Sequence, residues 1–248
     1  MKVLVCISHV PDTTAKINFT SDNSAFDKNG VQFVINPYDE FGLTRAVWLQ
    51  EKQGATVTVL TVGGAEVEPT LRKALAIGAN DAIRVNAEPK DAFYVAKQIA
   101  AIVQENQYDL VIAGRESIDY NGGQVPGMVA ALLNQSFVNA CVGLEVEGDT
   151  ATMIREIDGG KEKVSAKLPV IIGGQKGLVE EKDLKIPNMR GIMSARTKPL
   201  TVKEPVEANE KTSVGTFSKP APKSAVKMVE AENMDELVRM LHEDAKVI

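Results

Sequence analysis

Histidine is nearly absent from this 248-residue chain, which holds only His9 and His242. So low a count weighs against a histidine-built metal centre or a triad around a nucleophile. Cysteine is as scarce. Cys6 and Cys141 sit in apolar runs with no CxxC spacing, so neither a disulfide nor a zinc site is expected, and a reducing compartment fits. No GxSxG, HExxH or GxxxxGK[ST] pattern occurs. An enzyme acting by itself is therefore the weaker class, and no catalytic or metal-ligating residue is assigned. A basic excess is also missing: 28 Lys and Arg stand against 33 Asp and Glu, a net charge of −5. Nucleic acid requires a basic face and is not expected as a partner. No apolar run approaches the ~20 residues that span a bilayer. Met1-Lys2 runs straight into Val3-Leu4-Val5-Cys6-Ile7, so neither a signal peptide nor membrane insertion is expected.

What is present alternates. Residues 2–7 read as a strand apolar on both faces, the mark of a buried parallel strand. Residues 56–62, 82–85 and 109–113 repeat that texture. Between them Phe41, Arg45, Trp48 and Leu49 recur at helical spacing, with Asn36-Pro37 as a start signal and Gly54 as a stop. Val67, Leu71, Ala74 and Leu75 do the same before Gly78, as do Val95, Ile99, Ile102 and Val103. Such alternation predicts right-handed βαβ units: a doubly wound α/β fold, its mostly parallel sheet covered on both faces by helices. Ligands of that class bind beyond the C-terminal ends of the strands. After about residue 140 the texture changes to hairpins: 142–147 with 151–156 around Gly148-Asp149, then a turn at Asp158-Gly159-Gly160 into 163–167. With the apolar run 168–172, these are expected to extend the sheet as antiparallel strands.

From Lys185 to Ala225 lie Pro187, Pro199, Pro205, Pro220 and Pro222, few apolar residues and no sustained period. This reads as an arm without its own core, either a disordered linker or an extension lying on a partner. A division into residues 1–184, the α/β domain, and 185–248, the partner-binding arm and terminal helix, follows. Asn233 and Glu236 make a capping-box-like start. Met234, Leu237, Val238 and Leu241 then form one apolar stripe, which docks on a partner or packs back on its own domain.

The chemically richest stretch is Gly114-Arg115-Glu116-Ser117-Ile118-Asp119-Tyr120-Asn121-Gly122-Gly123-Gln124-Val125. It follows a strand and precedes a helical run. Its glycines allow close backbone approach, and N–H groups at a helix N-terminus bind phosphate. Asp119 and Asn121 would bond a ribose or cap the helix. A purely structural loop explains the residues about as well. Cys6, at the end of the first strand, and Asn36, at a helix start, are placed to line the same crevice. A buried small residue and a plain N-cap are the simpler readings. Arg155-Glu156-Ile157-Asp158-Gly159-Gly160 reads most simply as a solvated turn.

Along nearly its whole length the chain resembles the beta (small) subunit of electron transfer flavoproteins. The resemblance rests on Val-Leu-Val-Cys-Ile-Ser-His-Val-Pro-Asp at the start and Val-Ile-Asn-Pro-Tyr-Asp-Glu-Phe at 34–41. Arg-Lys-Ala-Leu-Ala-Ile-Gly-Ala at 72–79 follows, then the 114–124 loop. Arg-Glu-Ile-Asp-Gly-Gly-Lys-Glu at 155–162 and Ile-Pro-Asn-Met-Arg-Gly-Ile-Met at 186–193 complete it. It implies a heterodimer whose larger alpha subunit holds most of the FAD. It also implies a structural AMP in this subunit, bound by Cys6, Asn36, Val62 and Gly114 to Val125. Arg155 and Glu156 would sit near the partner's flavin-bearing domain. Ile186 takes the place of the apolar residue that docks acyl-CoA or other flavin dehydrogenases. Electrons would pass towards electron transfer flavoprotein–quinone oxidoreductase, as in fatty acid β-oxidation. The cytoplasm of a bacterium or the mitochondrial matrix would be the site. In some relatives a second, electron-bifurcating FAD replaces the AMP. Those often read Asp-Gly-Asp-Thr-Ala-Gln-Val-Gly where this chain has Asp119 to Pro126. They share the Gln-Val, but Tyr-Asn-Gly-Gly and the Pro-Gly order differ, so AMP is favoured. A stand-alone nucleotide-binding regulatory module would need no arm. An ATP-pyrophosphatase would want glycine after the first strand, where Ser8-His9-Val10-Pro11-Asp12 stands.

Overall fold

The apolar run behind Met1 forms the strand around which the sheet is built. In a computed structural model describing residues 1–223 and 225–248, β1 (Lys2–Cys6) has Val3, Leu4 and Val5 fully buried. Val3 and Val5 point into one core and Leu4 into a second on the opposite face. Period-two alternation thus explains why both faces are apolar. An antiparallel ribbon, β2 (His9–Pro11) with β3 (Phe33–Ile35), leads into α1 (Pro37–Gln53), which starts and stops at the expected Asn36-Pro37 and Gly54. Next come β4 (Thr56–Val62), α2 (Glu68–Ile77), β5 (Asp81–Val85), α3 (Ala92–Asn106), β6 (Leu110–Gly114) and α4 (Val125–Leu133). Residues of α1 and α2 share the core of Val3 and Val5. Ile99, Ile102 and Val129, from α3 and α4, pack with Leu4 on the other face.

The remaining strands are β7 (Ser136–Glu147), β8 (Thr150–Ile157), β9 (Gly160–Lys167), β10 (Val170–Gly174) and β11 (Leu200–Lys203). They complete a nine-stranded sheet ordered β11-β5-β4-β1-β6-β10-β7-β8-β9. The fold is the doubly wound α/β class, with antiparallel hairpins at one end.

Three expectations need correction. The run at 168–172 does not supply an antiparallel strand: β10 lies between β6 and β7 and is parallel to both. The stretch after residue 184 is not wholly a separate arm, because α5 (Met189–Ala195) packs on α2 and β11 pairs in parallel with β5. A four-residue edge strand beside a proline has too few side chains to show a period, and its pairing comes from β5. The capping box is half formed. Asn233 Oδ1 accepts the Glu236 N–H at 3.4 Å, but Glu236 turns its carboxylate to Arg239 at 2.7 Å. The helix it starts, α6 (Met234–Arg239), leaves Met234, Leu237 and Val238 exposed. Residue 224, within the expected arm, lies outside the described residues.

Candidate functional site

The sheet reverses its winding at β1, which pairs with β4 on one side and β6 on the other. Crossover helices leave in opposite directions from such a point and open a crevice at the strand ends. The N-terminus of α1 closes the floor. Asp39, in its first turn, is buried; its Oδ2 accepts the Ser8 N–H and its Oδ1 the Gly114 N–H, each at 2.7 Å. One carboxylate therefore ties the end of β1 to the end of β6. Burial pushes its pKa up to about 7, while the hydrogen bonds from Ser8 and Gly114 oppose the rise. Gly114 has to be glycine, since a Cβ there would collide with Asp39 Oδ1 and lie 2.8 Å from Tyr38 Cβ. Sequence reasoning missed Asp39; an acidic residue in the first turn after Asn-Pro was its only signal.

Asn36 departs from the plain N-cap reading. The first amides of α1, from Asp39 and Glu40, bond the Asn36 backbone oxygen at 2.9 and 3.2 Å. The side chain makes no capping bond. Its Nδ2 donates to the Glu116 carbonyl at 2.9 Å, and its Oδ1 accepts the Ile118 N–H at 3.3 Å. An amide that both donates and accepts thus clamps the loop after β6. Within that loop Ser117 and Gly122 exchange two backbone bonds of 3.0 and 3.2 Å, and the turn between them contains Asn121 at φ 51°. Asp119 accepts from the Ser117 hydroxyl and the Tyr120 N–H. Asp119 and Asn121 thus shape the turn. Gly123 faces the Arg115 carbonyl, 3.2 Å from where a Cβ would sit, whereas the space in front of Gly122 is open. Gln124 and Val125 then enter α4, where the N–H groups of Val125 and Gly127, on either side of Pro126, have no partner inside the helix.

Asn36, Gly114, Glu116 and Ile118 are therefore joined by direct bonds or close contact. Cys6 and Val62 sit at the ends of neighbouring strands on the same edge of the sheet. Cys6 is half-buried; burial first and the nearby Asp39 second push its thiol far above the usual range, which disfavours the thiolate. Arg155 pairs across β8–β9 with Glu162 at 3.4 Å. Glu156, exposed at the end of β8, accepts a bond from the buried Gln175 amide, whose oxygen receives Arg115 Nη1 at 2.9 Å. Gln175 was not singled out from the sequence. Ile186 stands apart, 81% exposed, between Leu184 and α5. The only two histidines take no part: His9 stacks on Phe33 and bonds Thr70, and His242 lies at the C-terminus.

A doubly wound sheet, with a glycine-bearing loop clamped at its switch point, defines a Rossmann-like α/β protein with its crevice at the strand ends. A family model described as "Electron transfer flavoprotein domain" matches residues 24–208. The chain is 33% identical to "Electron transfer flavoprotein subunit beta" of Bacillus subtilis (strain 168), covering 100% of both chains. It is 34% identical to the protein of that name from Syntrophomonas wolfei, over 94% of this chain and 91% of the relative. It is 31% identical to the one from Homo sapiens, over 100% and 99%. The chain belongs to the electron transfer flavoprotein family, among its beta subunits. No helix among the described residues is long and apolar enough to cross a membrane.

Proposed function

We propose that this chain is the small subunit of a heterodimer: it scaffolds an FAD-bearing alpha subunit, holds AMP structurally and docks flavin dehydrogenases. Electrons then pass through the alpha subunit's FAD towards a quinone oxidoreductase. The observation that carries the nucleotide reading is the clamp on the 114–125 loop. Asp39 and Asn36 hold its stem from the floor of the crevice. Gly122 leaves open space, and the first amides of α4 stand at the far end. A preset loop at a helix N-terminus is the chemistry a nucleotide monophosphate requires. The flavin chemistry belongs to the cofactor. This chain's residues bind, orient and set the electrostatics. Arg155 and Glu156 offer charges at the end of the β8–β9 hairpin to the flavin-bearing domain. Ile186 offers an apolar anchor to the dehydrogenase, pre-ordered by Pro187, which restricts it to extended backbone.

The test is the nucleotide content of the purified heterodimer. Denaturation should release one AMP and one FAD per heterodimer, measured by mass spectrometry. Two FAD and no AMP would move the reading to the electron-bifurcating subgroup. Gly123→Val places branched atoms where a Cβ already sits 3.2 Å from the Arg115 carbonyl, so it should weaken AMP retention and, through it, assembly.

A further inference from the structure

We propose that Gln175 is a positioning residue that joins the 114–125 loop to Glu156 and sets the direction of that carboxylate. Gln175 follows the last residue of β10, between the strands that carry the loop and the hairpin. Its backbone N–H is held by the Cys141 carbonyl at 3.1 Å, where the β7–β8 register shifts. Its side chain is almost fully buried and reaches both ways. Arg115 Nη1, from the loop, donates to Oε1 at 2.9 Å, and Nε2 donates to Glu156 Oε2.

Chemistry leaves one orientation for this amide. A guanidinium only donates and an ionised carboxylate only accepts. Arg115 therefore has to face the amide oxygen, which turns the NH2 group towards Glu156. The amide is thus a directional link, held in one orientation from both ends. With Oε2 held, the exposed carboxylate has its second oxygen left for a partner. Were Arg115 drawn aside by a ligand in the crevice, Gln175 would lose one of the two partners that hold it in place, and its grip on Glu156 would loosen. The state of the loop is thereby passed to a charge on the hairpin at the same edge of the sheet, through two hydrogen bonds and no backbone movement. This rests on the reading that Glu156 faces the flavin-bearing domain of the alpha subunit. A weak, exposed contact that steers a mobile domain changes how often the reactive orientation is reached, so it acts on the maximal rate rather than on partner binding.

The experiment is a double-mutant cycle in the assembled heterodimer, with flavin reduction by a dehydrogenase partner as readout. Gln175→Met keeps the length of the side chain and removes both hydrogen bonds. It should lower kcat by up to about five-fold, as far as Glu156→Ala does. KM for the dehydrogenase and the melting temperature should stay unchanged. The double variant should be no slower than Glu156→Ala alone. If Glu156→Ala slows transfer and Gln175→Met does not, or the two effects multiply, the link is overturned while the role of Glu156 stands. If Glu156→Ala leaves kcat unchanged, the role of Glu156 falls and the proposal with it. A second measurement is independent of any partner and of the folding of Gln175→Met. In the full chain, the side-chain amide resonances of Gln175 should move in both Arg115→Ala and Glu156→Ala. Insensitivity to either substitution overturns the link.

Discussion

At the scale of single residues, Asp39 holds the crevice together and makes its stability depend on pH. Its folded pKa of about 7 lies above the ordinary carboxylate value of 3.8, chiefly through burial. Between those values the folded state binds a proton that the unfolded chain releases. Stability from this group is therefore full below about pH 4 and lost as pH rises through about 7. Asp39→Asn removes the titration. It also sets an NH2 group against one of the two amides that the carboxylate accepts, so it lowers stability at every pH. Urea midpoints recorded from pH 4 to pH 8 should decline for the natural chain and be flatter for the variant. Parallel profiles would place the titration elsewhere.

At the scale of elements, α5 shows how the segment around Ile186 is carried. Gly191 brings α5 so close to α2 that a Cβ would collide with the Ala76 carbonyl oxygen. Arg72 reaches across to the Ala195 and Lys198 carbonyls, both at 2.8 Å, and Lys198 caps the end of α2 through the Leu75 and Ala79 carbonyls. The outer side of α5 leaves Met189, Ile192 and Met193 exposed beside Ile186. Gly191→Ala meets backbone, which cannot turn away as a side chain can. It should cost about 1–3 kcal/mol of stability, read as a lower urea midpoint, and weaken dehydrogenase docking as well. Ile186→Ala should separate the two effects. Truncating an exposed anchor costs ~1–3 kcal/mol at an interface, roughly ten-fold or more in docking affinity, and leaves the melting curve in place. Unchanged docking would show that Ile186 is not the anchor and that docking lies elsewhere.

At the scale of the whole molecule, side chains of α3 attach the arm to the domain. The buried Gln98 donates to the Val206 carbonyl at 2.9 Å and accepts its N–H at 2.8 Å, so a side-chain amide replaces a neighbouring strand. Asp91 caps α3 and also accepts the amides of Lys211 and Thr212 at 2.6 and 2.9 Å. Beyond them Phe217 stacks on Phe19 with ring centroids 5.0 Å apart and lies 6.5 Å from the Tyr120 ring, at the candidate loop. Gln98→Leu keeps the buried volume and removes the rung. Trypsin should then cut faster after Lys211, while the melting temperature hardly moves; unchanged cleavage would show that the arm is held without Gln98, by Asp91 and the Phe217 stack.

The division between sequence and structure follows the range of each signal. The bounds of α1, the two buried faces of β1 and the alternation of strand and helix were legible, because turn formers, caps and periodicity act within a few residues. The 114–125 loop was legible as a candidate for the same reason, and family resemblance added the residues around it. The place of β10 between β6 and β7 was not, because a short apolar run reads alike wherever it pairs. The role of Asn36 was hidden because a capping amide and an amide that clamps a loop 80 residues away are the same side chain. Asp39 and Gln175 left little local trace, since each draws its meaning from partners on other strands. The sequence by itself determined the doubly wound class, its family and the loop at its switch point. Only the tertiary structure decided which side chains hold that loop and which one ties it to Glu156, because hydrogen bonds between distant residues exist only once the sheet has set their geometry.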